Sequence, residues 1–162
     1  MTQELTRAGS APRFMDRLAA RLARRGTTPE GFVRQPEPRT IGSFARGRQL
    51  VAGNFMFSGH LVEDNGADIW ALPFPDSAFL QDIHGFTWLD DLASVGDGPT
   101  RDRAQKWVWD WIDRYGDGTG PGWTPALTGR RLIRWINHAL FLLNGHEGND
   151  SAAFYKSLAQ QT

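Results

Sequence analysis

From Asp76 to the C-terminus, apolar residues recur every three or four positions, and glycine or proline interrupts the pattern at short intervals. That period builds amphipathic helices and excludes alternating strands. In "DSAFLQDIHGFTWLDDLASVG" the repeating residues are Phe79, Ile83, Phe86, Leu89 and Leu92. Asp76 reads as the N-cap, Gly96 as the stop, and Gly85 as a break or a close helix contact. A second helix follows, with Thr100 as N-cap and Ala104, Trp107, Val108, Trp111 and Tyr115 as its buried face. "GDGTGPG" ends it; with no GKS or GKT, that run reads as a connector and not a phosphate loop. A third helix occupies "TGRRLIRWINHALFLLNG", residues 128–145, between Thr128 as N-cap and Gly145. A fourth begins at Asp150 or Ser151 and meets the C-terminus in mid-pattern, as part of a longer protein would. The class is mainly α: helical hairpins on short connectors, with no βαβ alternation.

Upstream the chain divides into two further parts. Residues 1–28 form a basic tail and helix. Over 12–25, Phe14, Met15, Leu18 and Leu22 share one face, Arg13, Arg17, Arg21, Arg24 and Arg25 lie largely away from it, and Gly26 ends the helix. Packing on the rest of the protein is the expected use of so narrow an apolar face, with a membrane surface as the alternative. Residues 29–75 form an irregular arm and loop region, held extended by Pro29, Pro36 and Pro38. Around Phe55 and Phe57 the spacing predicts a short arm or hairpin, Gln49–Leu61. Residues 76–162 carry the helical hairpins.

Several function classes drop out. The chain has no cysteine, which removes disulfides, thiolate metal sites and a cysteine nucleophile. Arginines interrupt the N-terminal apolar residues, so no export signal is visible and the expected compartment is the cytoplasm. The longest apolar run, Ala139–Leu143, is far short of the roughly 18 residues of a membrane span. His60, His84, His138 and His146 lack metal-ligand spacing, and Ser10, Ser43, Ser58 and Ser77 lack a nucleophile-elbow context. No metal or cofactor is expected. Asp90 and Asp91 point apart on a helix and read as a solvated acidic patch. Residues 1–50 hold ten Arg against four carboxylates, net +6, and the remainder is net −6. The basic third lacks the interleaved aromatics of a nucleic-acid surface, so no such partner is expected. Seven Trp against two Tyr is an unusual balance, compatible with stacking on sugar rings.

The third helix poses the sharpest question. On a helical wheel, Arg130, Arg131, Arg134, Asn137 and His138 gather within an arc of about 120°. No carboxylate accompanies them. Leu132, Ile133, Ile136, Ala139, Leu140 and Leu143 fill the other side. The arc is either a solvent face or one wall of an anion-binding groove, with Trp135 as a stacking surface.

Five segments, in order, resemble the N-terminal region of bacterial heparinase II/III family proteins: "FMFSGH", "DIWALPFPDSAF", "LQDIHGFTWLDDL", "WVWDWIDRYG" and "GWTPALTGRRLIRWINHALFLL". The resemblance covers roughly residues 30–162. It implies an α/α toroid, incomplete here, followed by a β-sandwich in the longer protein. It also implies lyase cleavage of uronic-acid polysaccharides, such as glycosaminoglycans, by β-elimination. On that resemblance Arg130, Arg134, Trp135, Asn137 and His138, with Trp123, line a groove for an anionic polysaccharide. The family's catalytic Asn–His motif lies on a later helix, and its Tyr and His further on, so Asn137 and His138 receive no catalytic role and the chain alone is expected to be inert. Family members are often exported, which keeps the periplasm open. The alternative is a non-catalytic helical module that binds an anionic polysaccharide or a partner protein. Either way an exposed apolar patch beside residues 132–143, and self-association through it, are expected.

Overall fold

The computed structural model describes residues 15, 18, 22, 29–34, 40–65, 68–146 and 148–162. The basic segment 1–28, apart from Met15, Leu18 and Leu22, lies outside them, as does the expected extended course through Pro36 and Pro38. Among the described residues the chain is mainly helical, with seven helices and one two-stranded hairpin.

The first helix, α1 (Phe44–Val51), occupies what the sequence reading treats as arm. Ser43 caps it by accepting a hydrogen bond from the Arg46 amide at 3.4 Å. Gly47 within it and Gly42 just before its cap explain how it packs here: this stretch lies almost on the backbone of a later helix. A Cβ on Gly47 would come within 2.3 Å of the Asp91 carbonyl oxygen, and one on Gly42 within 1.9 Å of that of Asp90. A glycine-poor segment could not approach so closely. The hairpin follows as β1 (Asn54–Phe57) and β2 (His60–Glu63), antiparallel, with Phe55 opposite Val62 and Phe57 opposite His60. It thus begins later and ends later than Gln49–Leu61. Ser58 and Gly59, both at positive φ (48° and 83°), make the tight turn. Phe55 and Phe57 point into the core.

A 3-10 turn, Ile69–Ala71, delivers Trp70 to the centre, where its indole N–H donates to the Trp107 carbonyl at 2.9 Å. Then α2 (Ser77–His84) begins at the expected cap, Asp76, and α3 (Thr87–Val95) ends at Gly96 with φ 71°. Between them Phe86 holds φ 59°, costly for a bulky residue. Its fully buried ring offsets that cost against Trp88 (centroids 4.9 Å apart), Trp135 (5.4 Å) and Trp70 (5.5 Å).

Helix α4 (Gly98–Tyr115) is capped by Asp97, whose carboxylate accepts from the Thr100 amide at 2.9 Å; Thr100 sits inside the first turn and is not the cap. Helix α5 (Pro125–Asn137) starts at Thr124, four residues before the expected Thr128, because Thr124 followed by Pro125 makes the better helix start. It breaks at His138, and a short α6 (Ala139–Leu143) continues. Helix α7 (Asn149–Gln161) begins after Gly148, which supplies no side-chain cap, so neither Asp150 nor Ser151 is its N-cap.

The core is aromatic. Trp88, Trp107, Trp111 and Trp135 are fully buried, with Phe55, Phe79, Phe86 and Phe154. Much of the Trp abundance is therefore spent on packing and not on exposed stacking platforms.

Candidate functional site

Helix α5 and its continuation α6 bury parts of both arcs: Leu127, Ala139 and Leu142 lie in the core, and so do two members of the polar arc. Arg131 has no exposed surface, and Trp135 and His138 are buried beside it, while Ile133 is 59% and Leu140 72% exposed. Most of the polar arc faces the protein, and part of the apolar arc faces water.

Arg131 is accommodated by neutral acceptors and rings. Its Nε donates to Gln161 Oε1 at 2.6 Å, and Nη1 to the Gly122 carbonyl at 2.8 Å. Its guanidinium lies 4.0 Å over Trp111 and 5.4 Å from the ring centre of Trp123. Burial lowers its pKa to about 9, so it keeps its charge at neutral pH. Gly122 permits the approach: a Cβ there would sit 2.8 Å from His84 Nδ1.

His84 is the neighbour that answers this charge by staying neutral. Burial, reinforced by Arg131, pushes its pKa down to about 3. Its Nδ1 accepts from the Trp111 indole N–H at 3.2 Å, and its buried Nε2 has no hydrogen-bond partner among the described residues. Pattern reading offers no way to single out His84, because its setting comes from α4, α5 and the connector between them.

The outer half of the arc closes on Asp90. Arg134 Nε donates to its Oδ2 at 2.9 Å, His138 Nε2 lies 2.8 Å from Oδ1, and the Thr40 hydroxyl donates to Oδ1 at 3.1 Å. Arg134 also donates to the Gly85 carbonyl at 3.1 Å, at the end of α2. Burial would raise the Asp90 pKa, but the His138 bond and the Arg134 charge together carry it below the ordinary value. Asp91 behaves oppositely: burial raises its pKa despite a 2.7 Å bond from the Ser43 amide. The solvated acidic patch expected at Asp90–Asp91 is corrected here. Both carboxylates are buried, one joining α3 to α5 and the other joining α3 to the start of α1.

Of the six residues expected to line a groove, the structure brings Arg134 and His138 together on Asp90. Arg130 is exposed and Asn137 partly so. Trp135 is fully buried, its ring 5.6 Å from Trp111 and 5.4 Å from Phe154. Trp123 is buried too, and donates to the Tyr115 carbonyl at 2.6 Å. Phe154 stacks on Trp135, and Trp111 lies tilted against Trp123 with ring centres 5.8 Å apart, so both indoles are engaged in core packing. Arg131, given no groove role, is the most deeply engaged of the arginines.

The other side of α5 borders a shallow groove of about 460 Å³, lined by Phe32, Leu132, Ile136, Tyr155, Leu158 and Ala159. The Phe32 ring meets Tyr155 edge-on at 5.4 Å. No group of His, Asp or Glu suited to a metal ion occurs among the described residues, and no described helix is long and apolar enough to cross a membrane.

No protein-family model matches the chain, and no solved structure does. Over 106 residues the chain is 30% identical to FtsZ-localized protein C of Caulobacter vibrioides, a stretch covering 64% of this chain and 18% of that protein. The chain therefore spans under a fifth of that relative's length.

Proposed function

We propose that this chain is a non-catalytic helical module of a larger protein that, like FtsZ-localized protein C, localises with FtsZ. The likeness over 106 residues carries the localisation. The inward arc supports the non-catalytic part. A general acid or base must reach the proton it moves. Asp90 and His138 hold each other, and His84 is enclosed. The test is a fluorescently tagged chain in a Caulobacter cell. Fluorescence that follows FtsZ, and disperses when FtsZ is depleted, is the expected result. Uniform fluorescence alongside normally assembled FtsZ would reject the reading.

A second reading is favoured by Arg130, which remains exposed at the edge of the arc one helical turn from Arg134. In it the chain is the first set of hairpins of a heparinase II/III-like α/α toroid and contributes a cationic edge to a groove for an anionic polysaccharide. Arg130 and Asn137 are its ligand contacts, and Arg134 and His138 position them through Asp90. Calorimetry with heparin and alginate tests it. Expected are salt-sensitive binding weakened by Arg130→Ala and no rise in unsaturated-product absorbance; absence of binding overturns it.

A further inference from the structure

Strand β2 lies at the rim of the fold with three of its four residues exposed, while β1 packs against α1 and α2. The Asp64 amide donates to the Gly53 carbonyl at 2.8 Å, just beyond the paired register. Bonded residues alternate along an antiparallel ladder. The backbone groups of Val62 and His60 therefore also turn toward β1, and those of Leu61 and Glu63 turn outward. No hydrogen bond within the described residues takes up those outward groups. Leu61 and its cross-strand partner Met56 share the outer face of the hairpin, 51% and 44% exposed. Charge here is one-sided: residues 49–100 carry eight carboxylates and no Lys or Arg. Arginines from elsewhere reach Asp68, Asp90 and Asp97, whereas exposed Glu63 has no cationic partner among the described residues.

We infer that the outward edge of β2 takes an extended basic segment of a partner protein as a third strand. An unpaired strand edge offers main-chain donors and acceptors to another chain. Leu61 and Glu63 each present one N–H and one C=O there. Side chains of the added strand opposite Leu61 and Glu63 fall on the same outer face. The matching segment thus sets an apolar residue beside Leu61, extending the strip it forms with Met56, and Lys or Arg two positions away beside Glu63. A second copy of β2 could make the hydrogen bonds, but it would bring carboxylates against carboxylates with no cation between them. The contact is short, so binding is weak and reversible. Nothing in this contact depends on localisation with FtsZ.

The test is an amide NMR titration of the full chain with a capped peptide that carries valine and lysine two positions apart on a threonine background. Expected are saturable shifts of the Leu61 and Glu63 amides and slowed hydrogen exchange at both. Replacing the peptide's lysine by glutamate, or methylating its backbone nitrogens that face β2, should each weaken binding by roughly tenfold. Glu63→Lys should weaken it several-fold and leave thermal unfolding unchanged, because Glu63 is exposed. No saturable shift at millimolar peptide, equal binding by the methylated peptide, or shifts confined to other elements would overturn the inference. So would Leu61 shifts that follow protein concentration without peptide, the sign of a second copy on that edge.

Discussion

The guanidinium of Arg131 lies 4.0 Å above the ring of Trp111, and neither residue has exposed surface. A cation at the centre of an aromatic core orients everything around it. It requires the Gly122 carbonyl and Gln161 as acceptors and a neutral His84. It thereby ties α5 to α4, to the connector between them and to the end of α7.

Arg131→Ala should lower stability by about 3 kcal/mol or more, since it opens a cavity and strands two buried acceptors. Arg131→Lys should recover only part of that loss, because an ammonium neither forks to two acceptors nor stacks flat on the indole. Urea unfolding of both variants checks the order. Wild-type stability in Arg131→Ala would show the cation to be incidental.

Asp90 and Asp91 should respond oppositely to neutralisation. The Asp90 pKa is held below 3.8, so its stabilising contribution is complete above that value and is lost as pH falls through the folded pKa. Asp90→Asn should therefore cost about 2 kcal/mol at neutral pH. The Asp91 pKa is raised, so stability declines as pH rises from 3.8 through the folded value. Asp91→Asn keeps an acceptor for the Ser43 amide and removes a disfavoured charge, so it should be near neutral or stabilising. Equal losses in the two variants would contradict this division.

His84 should make the fold acid-sensitive. Unfolded, it takes up a proton near pH 6.5; folded, it resists protonation down to about 3. Stability contributed by this group is complete above 6.5 and falls between those limits with a slope of up to about 1.4 kcal/mol per pH unit. Urea midpoints measured across that window should fall steeply for the native chain and less steeply for His84→Phe.

Two glycines should respond in opposite directions to alanine. Gly47→Ala drives a methyl toward the Asp91 carbonyl and should cost about 2 kcal/mol or more. Gly129 lies inside α5 with nothing within 4 Å of its Cβ position. Gly129→Ala should therefore stabilise by about 0.5–1 kcal/mol. Thermal denaturation of the pair separates close approach from simple helix propensity.

Ile133 and Leu140 expose apolar surface on the outer side of α5 and α6. Light scattering at increasing concentration should show self-association, and Ile133→Lys with Leu140→Lys should restore the monomer. A native chain that stays monomeric throughout would remove the expectation.

Helices in this chain were legible because their signals are local. Asp76 caps α2 and Gly96 stops α3 where pattern reading puts them, and Ala104, Trp107, Val108 and Trp111 form the buried face of α4, with Tyr115 at its end only half-buried. Helix α1 is not legible in the sequence because Gly47 and the flanking Gly42 and Gly53 speak for a loop until α3 is seen beneath the helix.

The sequence by itself determined where most of the helices of residues 76–162 lie and that five polar residues share one arc of the third. Only the tertiary structure decided which way that arc faces. Amphipathic pattern assigns arginine to water because an isolated guanidinium is costly to bury. That cost is offset here by groups far along the chain: the Trp111 ring, the Gly122 carbonyl and Gln161 for Arg131, and Asp90 for Arg134 and His138. No local window contains both a buried charge and the partners that make its burial affordable.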